Sequence, residues 1–147
     1  MNILVIEDNI YKSDKVMVFL RDKFKGVDIT LAQSYSSAKK VLTKKIYDFA
    51  IIDMTLPSFD RVPGEPAGES RAFGGMDLVK QMQRKKVRIK FLFFTQYKSF
   101  AEDDKNYTLE SIEILTREKY PDDFLGVVYY DNSSVVWKEE LLKLMEL

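Results

Sequence analysis

Short, solidly apolar runs punctuate this chain, and between them apolar residues recur at helical spacing. Residues 2–6 read as a first strand, buried on both faces because Ile3-Leu4-Val5-Ile6 is unbroken. Asp8 or Asn9 can cap a helix running to about Phe24, with Val16, Leu20 and Phe24 on one stripe and Gly26 as its stop. Residues 27–32 alternate apolar and polar, which predicts a half-exposed edge strand. A second helix should bury Tyr35, Ala38, Leu42 and Ile46. Phe49-Ala50-Ile51-Ile52 is the third strand. Residues 57–75 then break the rhythm with Pro57, Pro63, Pro66, Gly64, Gly68, Gly74 and Gly75, which predicts a long loop. A helix resumes from Met76 to about Arg84, on Leu78, Val79 and Met82. Residues 89–95 form the fourth strand, and residues 99–107, with Glu102-Asp103-Asp104, read as a polar loop. Leu109, Ile112 and Leu115 mark a fourth helix ending before Pro121. Residues 124–130 are the fifth strand, and Trp137, Leu141 and Met145 the stripe of a last helix.

This alternation is a (βα)5 pattern, which predicts a parallel sheet with helices on both faces. Residues 1–147 are expected to form a single domain, with the long loop at 57–75 and an extended fourth connection at 96–123. Ligands of such sheets bind outside the carboxyl ends of the strands. Glu7, Asp8, Asp53 and Thr95 all fall at those ends. A carboxylate ending a buried strand is costly unless something uses it. Three meeting at one sheet edge suggest a divalent-cation site, and one of them could accept a phosphoryl group.

Composition narrows the chemistry further. The sequence holds no Cys and no His, which removes thiolate and imidazole catalysis and leaves oxygen-ligated hard cations as the natural metals. Lys+Arg 23 balances Asp+Glu 23, so no global charge draws the chain to nucleic acid or membrane. The basic residues Lys80, Arg84, Lys85, Lys86, Arg88 and Lys90 read as the solvated end of a helix, and no direct DNA binding is expected. No apolar run reaches the roughly 20 residues of a membrane span, and the start shows no signal peptide, so a cytoplasmic place is expected. Each motif also has a purely structural reading: Glu7 and Asp8 as helix caps, Asp53 as a turn cap, Thr95 as an ordinary strand residue, Trp137 as core.

With Glu7-Asp8 after the first strand, Asp53 after the third with Leu56-Pro57 behind it, Thr95 after the fourth, and Gly75-Met76-Asp77-Leu78 opening the third helix, nearly the whole chain resembles the receiver domains of two-component response regulators. The resemblance implies a flavodoxin-like, doubly wound three-layer sandwich with parallel strand order 2-1-3-4-5. It implies Asp53 as phosphoacceptor, and Mg2+ (or Mn2+) held by Asp8, Asp53 and the Thr55 carbonyl, with Glu7 acting through metal-bound water. Thr95 would hydrogen-bond a phosphoryl oxygen. The implied role is a stand-alone receiver in a phosphorelay, not an enzyme beyond its own phosphorylation and dephosphorylation. The implied donor is a histidine kinase or phosphotransfer protein, and a homodimer is possible.

The chain also departs from that pattern. The family's Lys after the fifth strand falls at Tyr130, with no Lys between Lys119 and Lys138. Lys98 is the candidate substitute cation. Bulky Gln96 and Tyr97 follow Thr95, and Val127 holds the place of the family's switching aromatic. Two alternatives follow. One is a pseudo-receiver that transfers no phosphate and serves as a protein-interaction module. The other, more remote, is a small aspartate-nucleophile phosphatase, although Asp53-Met54-Thr55 lacks the second Asp such enzymes use.

Overall fold

The computed structural model describes residues 1–65 and 69–146. Pro66 and Gly68, which belong to the predicted loop, lie outside the described residues. In chain order the elements are β1 (Asn2–Ile6), α1 (Ile10–Lys23), β2 (Asp28–Ala32), α2 (Tyr35–Leu42), β3 (Phe49–Ile52), β4 (Leu56–Pro57), β5 (Ser70–Arg71), α3 (Gly74–Arg84), β6 (Lys90–Thr95), β7 (Ser99–Glu102), β8 (Lys105–Thr108), α4 (Leu109–Lys119), β9 (Phe124–Tyr129) and α5 (Val136–Met145). The main sheet runs β2-β1-β3-β6-β9, parallel throughout. In terms of its own five strands this is the order 2-1-3-4-5.

Alternation along the strands divides the core in two. Ile3, Val5, Ile51, Leu92, Phe94 and Val128 pack beneath α1 and α5, against Val16, Leu20, Trp137 and Leu141. Leu4, Ile6, Ala50, Ile52, Phe91 and Phe93 face α2, α3 and α4 through Ala38, Leu78, Met82 and Ile112. Trp137 is a core residue, edge-on to Phe19 and Phe94 at 5.5 Å each. Among the described residues no helix is long and apolar enough to cross a membrane.

Four sequence expectations need correction. Ile46 does not join the buried face of α2, which ends at Leu42; it is exposed. The apolar face of α4 is Ile112 with Thr116, while Leu115 points outward; Thr116 satisfies its hydroxyl on the Ile112 carbonyl at 2.6 Å. The described residues of the 57–75 segment are not structureless: β4 and β5 pair antiparallel, and α3 starts at Gly74 rather than Met76. Residues 99–108 form an antiparallel hairpin, β7–β8, turning through Asp103 at φ 54°. Its polar sequence gave no period because only Phe100 is buried.

The two added pieces meet. The ring of Phe73, just before α3, lies 6.0 Å from Phe100 and 5.2 Å from Tyr107. Immediately after it, Gly75 lets the α3 terminus approach the end of β3. A Cβ there would stand 2.5 Å from the Asp53 carbonyl oxygen, and the Gly75 amide donates to the Met54 carbonyl at 2.9 Å.

Candidate functional site

The sheet's hydrogen-bond ladder carries the acids to one edge. The Glu7 amide donates to the Ala32 carbonyl and the Asp53 amide to the Ile6 carbonyl, each at 2.9 Å, so both residues continue their strands by one step. Glu7, Asp8 and Asp53 each offer a carboxylate oxygen within 4.8 Å of the others'. Glu7 and Asp53 are buried, and Asp8 is half-buried. Glu7 and Asp8 are not the caps of α1. That task falls to Asn9, whose side chain accepts from the Tyr11 and Lys12 amides, while Glu7 Oε2 accepts from the Asn9 amide at 3.1 Å.

The buried cation of this pocket is Lys12, from the first turn of α1. Its side chain is 1% exposed. Its Nζ lies 2.6 Å from Glu7 Oε1 and 3.7 Å from Asp53 Oδ2, and donates to the Phe94 carbonyl at 3.1 Å. The Glu7 contact is a close ion pair without the direction of a hydrogen bond, which leaves Glu7 Oε1 and Asp53 Oδ1 as buried oxygens unmatched by a hydrogen-bond donor. The ammonium also faces the rings of Phe94 at 5.1 Å and Tyr130 at 5.8 Å. Lys98 is not there. It lies over the Tyr129 ring at 5.0 Å and is the weakest of the influences on Asp131, whose carboxyl is held below its usual value mainly by two hydrogen bonds from Ser133.

Burial pushes the Asp53 carboxyl well above the usual carboxylate range. Lys12 opposes that rise, while Glu7 and Asp8 add to it. A pocket so short of positive charge favours a proton or a divalent cation. Asp53 Oδ1 has no donor, Glu7 Oε1 is met only by the charge of Lys12, and three carboxylates converge; this is a hard-cation donor set, so the residues present fit Mg2+.

The remaining predicted residues lie around this centre. Thr95 is buried at the end of β6; its hydroxyl oxygen accepts from the Tyr97 amide at 3.1 Å, and its carbonyl accepts from the Tyr130 amide at 2.7 Å. The Thr55 hydroxyl donates to the Ala72 carbonyl at 3.3 Å, tying the strand end to the segment before α3. Gln96 is exposed and bonds the Tyr97 hydroxyl at 3.2 Å. Both line a cleft of about 480 Å3 together with Lys12, Tyr129, Tyr130 and Asn132. Val127 is half-buried in β9 and packs against the α2–α3–α4 core.

Sequence reasoning missed Lys12 and Arg61. Arg61, in the segment after β4, reaches Asp8 Oδ2 at 3.7 Å. A signal for Lys12 was present: it stands one step ahead of Val16 and Leu20 on their stripe, a charged residue at the head of an apolar face. Nothing local marks Arg61.

No family model matches the chain. It is similar to the Detocs response regulatory protein DtcB of Enterobacter cloacae, 29% identical with 97% of each chain covered. It is also similar to an uncharacterised protein, y4jR, of Sinorhizobium fredii, 27% identical over 94% of this chain and 92% of the relative. Among solved structures it resembles the response regulator TrrA of Thermotoga maritima in complex with Mg2+-BeF, with a TM-score of 0.58, 20% identity and 97% of each chain covered. A CheY-like receiver domain from Methylobacillus flagellatus gives a TM-score of 0.61 at 17% identity, covering 99% of this chain and 98% of that one.

Proposed function

Since this chain has the fold of the response-regulator receiver domains, signalling modules rather than conventional enzymes, we propose that it works as a phosphorelay receiver that takes a phosphoryl group on Asp53. The observation that carries this reading is Asp53 Oδ1, a buried carboxylate oxygen with no hydrogen-bond donor, beside Glu7 and Asp8.

Asp53, Glu7 and Asp8, with the Thr55 carbonyl, would hold Mg2+, which when bound neutralises charge on the incoming phosphoryl group. The ionised Asp53 carboxylate is itself the nucleophile, so no general base is needed. Its oxygen forms a bond to phosphorus as the phosphorus–nitrogen bond of a phosphohistidine donor breaks. The electron pair of that bond stays on the imidazole nitrogen, which takes up a proton. Thr95, buried at the end of the adjacent strand β6, would then meet a phosphoryl oxygen through its hydroxyl. To do so the hydroxyl must yield or share its bond from the Tyr97 amide. The donor would be a histidine kinase or a phosphotransfer protein, by analogy with receivers of this fold.

The test is intact mass after incubation with Mg2+ and acetyl phosphate or phosphoramidate. One added phosphoryl group on the wild type and none on Asp53→Asn is expected. Unmodified wild type, or modification that persists in Asp53→Asn, would leave the chain as a receiver-shaped interaction module.

A further inference from the structure

A lysine in the first turn of a helix is an unfavourable choice twice over. Its charge opposes the positive end of the helix dipole, and full burial strips its water. Lys12 accepts both costs at the mouth of the acid cluster. Side chains on a helix lean toward its N-terminus, so the stem of Lys12 is directed back toward the ends of β1 and β3, where Glu7 and Asp53 stand. The ammonium has three donors. One meets the Phe94 carbonyl, Glu7 Oε1 stands 2.6 Å away as a close ion pair, and Asp53 Oδ2 at 3.7 Å is beyond hydrogen-bond reach. The ammonium therefore faces Asp53 with donor capacity to spare and no short bond to it.

The end of β9 supplies no charge to that space. It supplies Tyr130, whose buried ring packs on Phe94 and Trp137 at 5.5 and 5.6 Å and turns its face toward the Lys12 ammonium. Among the described residues Lys12 is the one Lys or Arg that pairs with Asp53.

We propose that Lys12, delivered by α1, is the residue that neutralises the phosphoryl group carried by Asp53, and that Tyr130, Phe94 and Glu7 are the walls that hold its ammonium in place. This rests on phosphoryl acceptance by Asp53. Lys12 is a catalytic residue in this scheme and Tyr130 a positioning one. The ammonium forms no covalent bond. It exchanges part of its pairing with Glu7 for a phosphoryl oxygen as negative charge arrives, which is electrostatic stabilisation by a donor already in place.

The experiment compares wild type with Lys12→Met. Phosphoryl uptake from phosphoramidate should fall at least about a hundredfold in the variant. Mg2+ affinity, read from Trp137 fluorescence, should hold or rise, because the acids lose a competing cation. Uptake at the wild-type rate overturns the proposal. So does joint loss of Mg2+ binding and uptake, which would make Lys12 a brace of the fold. A second measurement needs no variant. In side-chain-labelled wild-type protein, the Lys12 ammonium resonance should move when beryllofluoride is added to the Mg2+-loaded form, and an unmoved resonance overturns the assignment. Wild type that neither gains phosphoryl nor binds beryllofluoride would sink the Asp53 reading itself, and this inference with it.

Discussion

The face of the Tyr130 ring stands 5.8 Å from the Lys12 ammonium, so the end of β9 and the start of α1 meet across the acid pocket. The contact joins residues far apart in sequence, and it gives Tyr130 an electrostatic part without a charge of its own. Tyr130→Leu should keep the fold and loosen the ammonium. The expected result is phosphoryl uptake reduced about three- to tenfold, in line with loss of roughly 1 kcal/mol of cation–π attraction. Single-turnover uptake followed by mass would measure it.

Asp53→Asn should stabilise the metal-free protein by about 1–3 kcal/mol, because it removes a buried acid whose ionisation the pocket opposes. It should also weaken Mg2+ binding by at least about tenfold. Urea unfolding with and without Mg2+ checks both. Equal midpoints for the two metal-free proteins would show that Asp53 is not under the electrostatic pressure described.

The same pressure has a pH signature. The Asp53 carboxyl titrates above its ordinary value of 3.8 in the folded chain. Between that ordinary value and the raised one, the folded state holds a proton that the unfolded state has released. Stability contributed by Asp53 is therefore full below the ordinary value and is lost as pH rises through the raised one. Metal-free wild type should lose Tm relative to Asp53→Asn as pH increases across that window. Saturating Mg2+, which displaces the proton, should close the gap.

Gly75→Ala should cost about 1–3 kcal/mol, since the added methyl would sit 2.5 Å from the Asp53 carbonyl oxygen and neither backbone can retreat freely. Denaturant midpoints would report it. A neutral outcome would mean that α3 does not press on the strand end as described.

Phe73 links the hairpin β7–β8 to the segment before α3. Phe73→Ala should therefore speed amide exchange in residues 99–108 as well as in its own segment, with little change in β1 or β3. Exchange confined to residues near 73 would separate the two.

The strands and the acid cluster were legible because both depend on local pattern. Ile3-Leu4-Val5-Ile6 and Phe49-Ala50-Ile51-Ile52 are short, β-branched-rich runs that read as strands buried on both faces, and their carboxyl ends place Glu7, Asp8 and Asp53 together once the strands are parallel. The hairpin was hidden because Ser99–Glu102 and Lys105–Thr108 bury one residue between them and so carry no alternation. Lys12 carried only the faint signal of a charge heading the Val16–Leu20 stripe, because its partners Asp53 and Phe94 are brought to it by tertiary packing alone, away from the fifth strand end where the resemblance places a Lys. Lys98, chosen because it follows the fourth strand closely, is carried away from the acids by its contact with Tyr129.

Glu7, Asp8 and Lys12 all belong to the β1–α1 unit. Two acids of the cluster and the lysine that pairs with Glu7 are thus written within six consecutive positions, Glu-Asp-x-x-x-Lys, with an aromatic residue standing far downstream where the sheet ends. That pairing is a searchable fingerprint. Chains of this fold that keep the lysine at the end of the last strand should lack one at the place of Lys12. Chains that carry one there should be free to vary the strand end, provided an aromatic ring remains. A family tree sorted by those two positions would divide cleanly if the charge moved once between them, and would mix if Lys12 were an accident of this sequence.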